Sequence, residues 1–570
     1  MPAITVTAAA ESAFGPDEGY VAGRSATGTK TDTPIIETPQ TINVITRDEF
    51  TARAAQNVSQ ALTYTPGGNP EPFGLDDRND YIRLRGFIAP QYLNGLLLPG
   101  TGLTTNFQFD PYGLERIEVL KGPASVLYGQ NAPGGLINLV SKRPTAEPFH
   151  EIQLLGGSFD RVQGGLDLSG PFERDGRFLY RLTALVHDSD TQVDFSEDDR
   201  YFVAPSFAWR PSKGTTFTFL SHYQKDETGN AGRALPAEGT LLPNPNGKIP
   251  ANRALGEPEF DRFVRELFHV GYAFEHRFNE AWSVRQNLRY ASLTANENSF
   301  SFINGFETDI NGVPTDFRTV TRGAIIFPVR DRVFTLDNQA QGVFDTGAVH
   351  HTALFGIDYW RMRKRDELGF AEEPNLDLFN PVYGQPFTLP VATSSTDQKI
   401  EQFGLYGQDQ IKYGGWILTL GGRYDWATAD TLIDDRDAAT HTETRQDDEA
   451  FTYRTGLGYV FDSGFAPYFS YSESFQPSAG TDFFGKPFEP TTGQQYEVGV
   501  KYGPLAGLHL PGRRTGRLGP RRRRPLRGRP IRGYDQQPRG ALLHTVRRRG
   551  ALRPRQNPPE PRRRAPRPEY

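Results

Sequence analysis

Residues 416–426 read WILTLGGRYDW, and this run sets the pattern for most of the chain. Trp416, Leu418, Leu420, Tyr424 and Trp426 fall on one phase of a two-residue period, and Thr419, Gly421, Arg423 and Asp425 on the other. Such a period belongs to a β-strand with one apolar and one polar face. Residues 282–292 repeat it, with Trp282, Val284, Leu288 and Tyr290 opposite Ser283, Arg285, Asn287 and Arg289. Residues 451–461 do the same, Phe451, Tyr453, Leu457, Tyr459 and Phe461 alternating with Thr452, Arg454, Gly456 and Gly458. Between residues 149 and 502 there are roughly 14 such segments, many about ten residues long, divided by turns or by polar loops such as 229–259. Apolar faces that end in Trp, Tyr or Phe, with charge on the opposite face, point to a transmembrane antiparallel β-barrel. A soluble β-sandwich alternates too, but in strands of about five or six residues.

Composition narrows the choice. The chain has 570 residues and no Cys, which excludes disulfides, thiolate nucleophiles and thiolate metal sites. No run approaches 18 apolar residues, so no spanning helix is expected. The net charge of −5 is a sum of unlike parts. Residues 511–570 carry 20 Arg against Asp535, Glu560 and Glu569, a net +17, which leaves −22 to the rest. All 40 Phe lie in that acidic body.

The first residues, MPAITVTA, show neither a basic n-region nor an apolar h-region, so no secretory signal is expected in this numbering. Residues 1–30 read as an extended, mobile segment. Residues 31–148 read as an α+β unit. Residues 41–45 form a strand, and Thr46 with Glu49 caps a helix over 48–62. Asn94-Gly95, between Tyr92-Leu93 and Leu96-Leu97-Leu98, marks a two-residue hairpin.

Enzyme chemistry is not found. The ten His are scattered, and His350-His351 point to opposite faces of a strand. No His-Glu-x-x-His or Gly-x-Ser-x-Gly occurs, and the glycine-rich 129–135 lacks the Lys-Ser/Thr of a phosphate loop. No catalytic residue, metal site or cofactor is expected.

Residues 116–144, RIEVLKGPASVLYGQNAPGGLINLVSKRP, resemble the plug signature of TonB-dependent outer-membrane receptors. Other segments agree in order: Ile4, Thr5, Val6, Thr7 and Ala8; SATGTKTDTPIIETPQTINVIT (25–46); ALTYTPG (61–67); IRLRGF (82–87); LGGRYDWA (420–427); APYFSYSESFQPS (466–478); and QYEVGVKY (495–502). The closest resemblance is to the ferrichrome, or hydroxamate siderophore, type. It implies a plug (31–148) inside a 22-stranded barrel (149–502 here), a monomer in the outer membrane of a Gram-negative bacterium. It also implies capture of a ferric siderophore and energy from the inner-membrane TonB complex. Residues 4–8 would be the TonB box, an extended segment that adds to a partner's sheet edge.

The resemblance also assigns residues. Arg85 and Lys121 in the plug would pair with Glu473 and Glu497 in the wall. Alternation supports Glu497, whereas Glu473 shares its phase with Phe469 and Tyr471 and needs a bulge to turn inward. The siderophore would meet Arg78, Gln91, Phe300, Phe302 and Phe370. The family's plug Arg falls on Phe73, with Arg78 close by, and two wall aromatics are replaced by 231–234. Fewer hydroxyls and more Phe imply a different hydroxamate or a less polar ligand.

After residue 502 the pattern stops. Residues 511–570 contain 11 Pro and no alternation, a composition that GC-rich DNA yields when read out of frame. We read 503–570 as an aberrant tail, following an internal deletion near residues 502–503 and a shifted frame from about residue 511. Its rival is an Arg-rich arm for nucleic acid or anionic lipid, for which an outer-membrane protein has no use. About 14 strands are too few to enclose a plug, so the chain as written is expected not to close its barrel or insert. The alternatives to a working receptor are thus a truncated, non-functional one and a soluble all-β glycan-binding or glycan-cleaving protein.

Overall fold

The computed structural model describes residues 12–503, apart from 75, 77, 99–107, 230–233, 479–481, 485 and 487. The TonB-box residues 4–8, positions 231–233 and the Arg-rich tail therefore lie outside the described residues.

The plug is a five-stranded sheet with short helices. Its strands are β1 (Ile42–Thr46), β2 (Gln91–Leu93), β3 (Leu96–Leu97), β4 (Leu114–Lys121) and β5 (Gly135–Ser141), ordered β1-β4-β5-β2-β3. The β2–β3 hairpin turns at Asn94 and Gly95, both with positive φ (53° and 81°), as the sequence predicts. Thr46 caps α1 (Arg47–Ala52) by accepting a hydrogen bond from the Glu49 N–H at 3.2 Å. The helix expected over 48–62 is in fact two. Ala54 takes φ 52°, ending the first, and the Asn57 side chain starts α2 (Val58–Ala61) by accepting from the Gln60 N–H.

The wall is one antiparallel sheet of 15 strands: β6 (Phe149–Gly156), β7 (Val162–Pro171), β8 (Phe178–Asp188), β9 (Asp198–Ser212), β10 (Thr215–Thr228), β11 (Arg262–Arg277), β12 (Trp282–Phe306), β13 (Thr319–Ile326), β14 (Val329–Thr346), β15 (Val349–Asp377), β16 (Ser394–Tyr413), β17 (Trp416–Asp435), β18 (Thr440–Tyr459), β19 (Phe465–Gln476) and β20 (Thr491–Tyr502). β13 and β14 run in the same direction along β12, one above the other, so together they are a single stave. Phe327-Pro328 interrupts it, since Pro has no N–H for the ladder. The wall thus has 14 staves, the number read from the sequence. β6 and β20 are its edges and do not pair with each other among the described residues.

The two phases of β17 separate as expected. Trp416 (49% exposed), Leu420 and Trp426 (39%) face outward, while Thr419, Arg423 and Asp425 are buried. Ten residues at about 3.3 Å, tilted about 40°, place the two Trp about 25 Å apart along the membrane normal, the height of an apolar band. The inward charges do not face a water-filled lumen. They are buried against the plug, where Arg423 pairs with Asp358 (2.6 Å) and Asp425 (2.6 Å). The main core is shared by both parts: Phe50, Leu62, Ile82, Ile117 and Leu139 of the plug cluster with Leu267, Leu293 and Val329 of the wall.

Candidate functional site

Alternation along β12 would put Phe300 and Phe302 on the outer face, because Ala291, Leu293 and Ala295 face inward and pack against the plug side. A β-bulge reverses this. Arg265 of β11 pairs with Ala295 but Val264 pairs with Glu297, so Asn296 is extra and every later side chain changes face. Phe300 and Phe302 therefore turn inward. Phe370, opposite Phe300 across Ile325, has the same phase.

The plug supplies the facing group. Arg78 places its guanidinium carbon 4.5 Å from the Phe300 ring centroid, a cation–π contact. Asp76 fixes that guanidinium through a two-point pair, Nε to Oδ1 and Nη2 to Oδ2, both 2.9 Å. Phe302 lies over Gly323, where no side chain competes for the space, and meets Phe370 edge-on at 6.3 Å. Phe370 is 56% exposed, so the shelf has an open side. The opposite face of β13 and β15 is closed by residues 249–261: Arg322 donates to the Leu255 carbonyl and pairs with Glu257 at 2.6 Å. Phe73 is exposed and packs edge-on to Tyr81 at 5.4 Å.

Gln91 stands apart from this group. It opens β2, its carbonyl accepts from the Leu98 N–H, and its Oε1 is buried without a hydrogen-bond partner.

At the plug–wall boundary, Glu497 is a hub. It accepts from Thr41 Oγ1 (2.7 Å), the Tyr468 hydroxyl (2.5 Å) and Gln495 Nε2 (2.6 Å), and it lies 3.9 Å from Arg85. Arg85 also donates to Gln495. Lys121 is buried beside this group without an ion pair to it. Burial first, and then the Arg85 charge, lower its pKa, with Glu497 opposing. Glu473 does not join them. β19 and β20 pair without a register shift, so no bulge turns it inward. It stays on the outer face, accepting from the Tyr471 hydroxyl (2.5 Å) and the Tyr453 N–H (3.1 Å).

Sequence reasoning missed a stronger attachment. The carbonyls of Gly28, Thr29 and Lys30 accept from Arg454 (2.7 Å), Gln408 (2.5 Å) and Arg285 (2.8 Å) of the wall. Gln410 donates to Thr31 Oγ1 at 2.6 Å, and the buried Lys30 ammonium pairs with Asp337 at 2.8 Å. Just before this strap, Ser25 and Thr27 donate instead to Glu118 in the plug. Inward Arg and Gln on alternating strands were the available signal, but their partners lie hundreds of residues away in sequence.

Residues 34–136 match the TonB-dependent receptor plug domain, and residues 204–510 match the TonB-dependent receptor-like β-barrel. The chain is 42% identical over 528 residues to the ferrichrome outer membrane transporter/phage receptor of Escherichia coli K12, covering 88% of this chain and 70% of that protein. The chain belongs to the TonB-dependent receptor family. The ferrioxamine B receptor of Salmonella typhimurium LT2 is 37% identical to this receptor over 487 residues (84% and 67% covered). The metal-pseudopaline receptor of Pseudomonas aeruginosa is 31% identical over 523 residues (89% and 70% covered). In fold, the receptor resembles the closed form of the ferric-catecholate import receptor Fiu of E. coli, with a TM-score of 0.76 at 20% identity, covering 85% of this chain and 73% of that one. These relatives are receptors and transporters, not enzymes, so the glycan-cleaving alternative falls away. The barrel match ends where the Arg-rich composition begins.

Proposed function

We propose that this receptor takes up a ferric hydroxamate siderophore, of the ferrichrome or ferrioxamine kind, at the plug apex. The observation that carries this reading is the Arg78–Phe300 contact beside Phe302 and Phe370. Its charge balance selects the ligand class. Arg78 is neutralised by Asp76, and Asp261 adds a further negative field at the same guanidinium. An apolar shelf with one compensated cation suits the neutral chelate that three hydroxamates form with Fe3+. A ferric tricatecholate is a trianion, and it would need uncompensated cations to offset its desolvation. Two relatives, 42% and 37% identical, carry ferrichrome and ferrioxamine B in their names, which supports the same class.

An outer membrane holds no nucleotide pool, so release needs a mechanical partner. Residues 4–8 are the segment we assign to TonB, as an added strand on its sheet edge. Arg85 and Glu497, rather than Lys121 or Glu473, are the assigned pair that seats the plug on this side.

Iron-starved cells that lack other hydroxamate receptors and carry this receptor in the outer membrane are the test. They are expected to take up radioiron from ferrichrome or ferrioxamine B, and only with TonB present. Uptake from neither overturns the hydroxamate reading.

A further inference from the structure

Arg265 is fully buried on β11, beside the bulge, and its guanidinium joins the wall to the plug apex. Nη1 donates to the Arg78 carbonyl at 2.5 Å, and Nη2 donates to the Gln108 side chain at 2.8 Å. Nε and Nη2 pair with Asp226 at 2.9 and 2.5 Å. A second wall guanidinium reinforces the same plug segment: Arg200 donates to Gln108 (2.9 Å), Asp110 (3.3 Å) and Asp226 (2.6 Å). Gln224 holds the Gln108 carbonyl at 2.7 Å. Asp110 and Asp226 pair with these two guanidinium groups, and the buried Asp80 carboxyl lies in the field of both.

The consequence lies in what Arg265 grips. It holds the backbone of the residue whose side chain faces Phe300, and it reaches that backbone from the strand that pairs with the one carrying Phe300. One guanidinium thus sets the spacing between the two halves of the candidate ligand site. We propose that Arg265 is a positioning residue for ligand binding: it acts through Arg78, fixing the apex so that the Arg78 side chain meets the β12 aromatics. This rests on the ligand site proposed above. A Lys in its place keeps a cation for Asp226, but a single ammonium cannot reproduce the planar fork that serves Asp226, Gln108 and the Arg78 carbonyl together.

The test uses the full chain in detergent, with ferrichrome as probe and the variants Arg265→Lys, Arg78→Met and their double. Each single variant is expected to weaken ferrichrome binding about tenfold, the effect of one charge-assisted hydrogen bond or cation–π contact. The double is expected to be no weaker than the weaker single, because both remove the same interaction. A purely structural role would make the two losses multiply. Hydrogen exchange without ligand gives a second readout. Amides of residues 78–82 are expected to exchange about tenfold faster in Arg265→Lys, with 114–121 unchanged. Wild-type affinity in Arg265→Lys, or multiplicative losses, overturns the proposal. If ferrichrome fails to bind the parent, the ligand reading is what fails, and unchanged exchange at 78–82 still overturns the role of Arg265.

Discussion

The Arg78 guanidinium of the plug lies 4.5 Å from the Phe300 ring of the wall. Two backbone features create that contact. The bulge at Asn296 rotates Phe300 inward, and the Arg265 hydrogen bond to the Arg78 carbonyl fixes the plug segment opposite. Asp76 then orients the guanidinium and cancels its charge. Ligand class follows from this arrangement: an aromatic shelf with a compensated cation favours a neutral chelate over an anionic one.

Inserting one Ala between Val264 and Arg265 gives Asn296 a partner on β11, restores strict alternation along β12 and turns Phe300 and Phe302 outward. Ferrichrome affinity is expected to fall about tenfold or more, through loss of the cation–π contact and the shelf. The pairing of 282–295 with β14 is unaffected by it, so the change should appear in binding titrations and not in the folded yield.

Asp76→Asn removes the charge that neutralises Arg78. The variant is expected to gain affinity for a ferric tricatecholate by about tenfold at low salt, with a gain that shrinks as salt rises. Competition titrations at two ionic strengths check it. An unchanged preference would mean that Asp76 does not set the charge of the site.

Lys30→Met leaves Asp337 buried with its ammonium partner gone. Breaking a buried pair from one side costs about 3–5 kcal/mol, read from denaturant unfolding. Adding Asp337→Leu is expected to recover part of that loss, because no uncompensated carboxylate then remains. Equal stability of Lys30→Met and the parent would contradict the strap as an attachment.

Lys121 carries a charge that its surroundings oppose. Its pKa is lowered in the folded chain, so its charged form is held at a cost in neutral solution. That cost is relieved as pH rises through the lowered pKa, and it is gone above the ordinary lysine value of about 10.4. Plug melting is therefore expected to shift upward on going from neutral to alkaline pH, and Lys121→Met is expected to reduce the shift. Arg85→Met should instead weaken plug attachment at every pH, because Arg85 faces Glu497 and Gln495.

The wall was legible in the sequence because alternation is a local property: residues 416–426 show both faces of β17 without reference to any partner. The Asn94-Gly95 turn and the Thr46 cap were legible for the same reason. The helix break at Ala54 was not, since Ala there carries no local signal for positive φ. Nor was the bulge, because Asn296 looks like any other polar residue in a strand. Strict alternation therefore puts Phe300 and Phe302 on the outer face, which the folded chain reverses. Glu473 was misplaced by homology of position, and its own phase, shared with Tyr471, told its side correctly. The strap and the Arg265 cluster were invisible because their bonds join residues such as Gly28 and Arg454, which only the folded chain brings together.

The most direct test of the account is equilibrium competition between ferrichrome and a ferric tricatecholate for the purified receptor, alongside Phe300→Ala and Arg78→Met. The account predicts preference for ferrichrome in the parent, and a loss of about tenfold in each variant. Preference for the tricatecholate, or ferrichrome binding untouched by both substitutions, would contradict it.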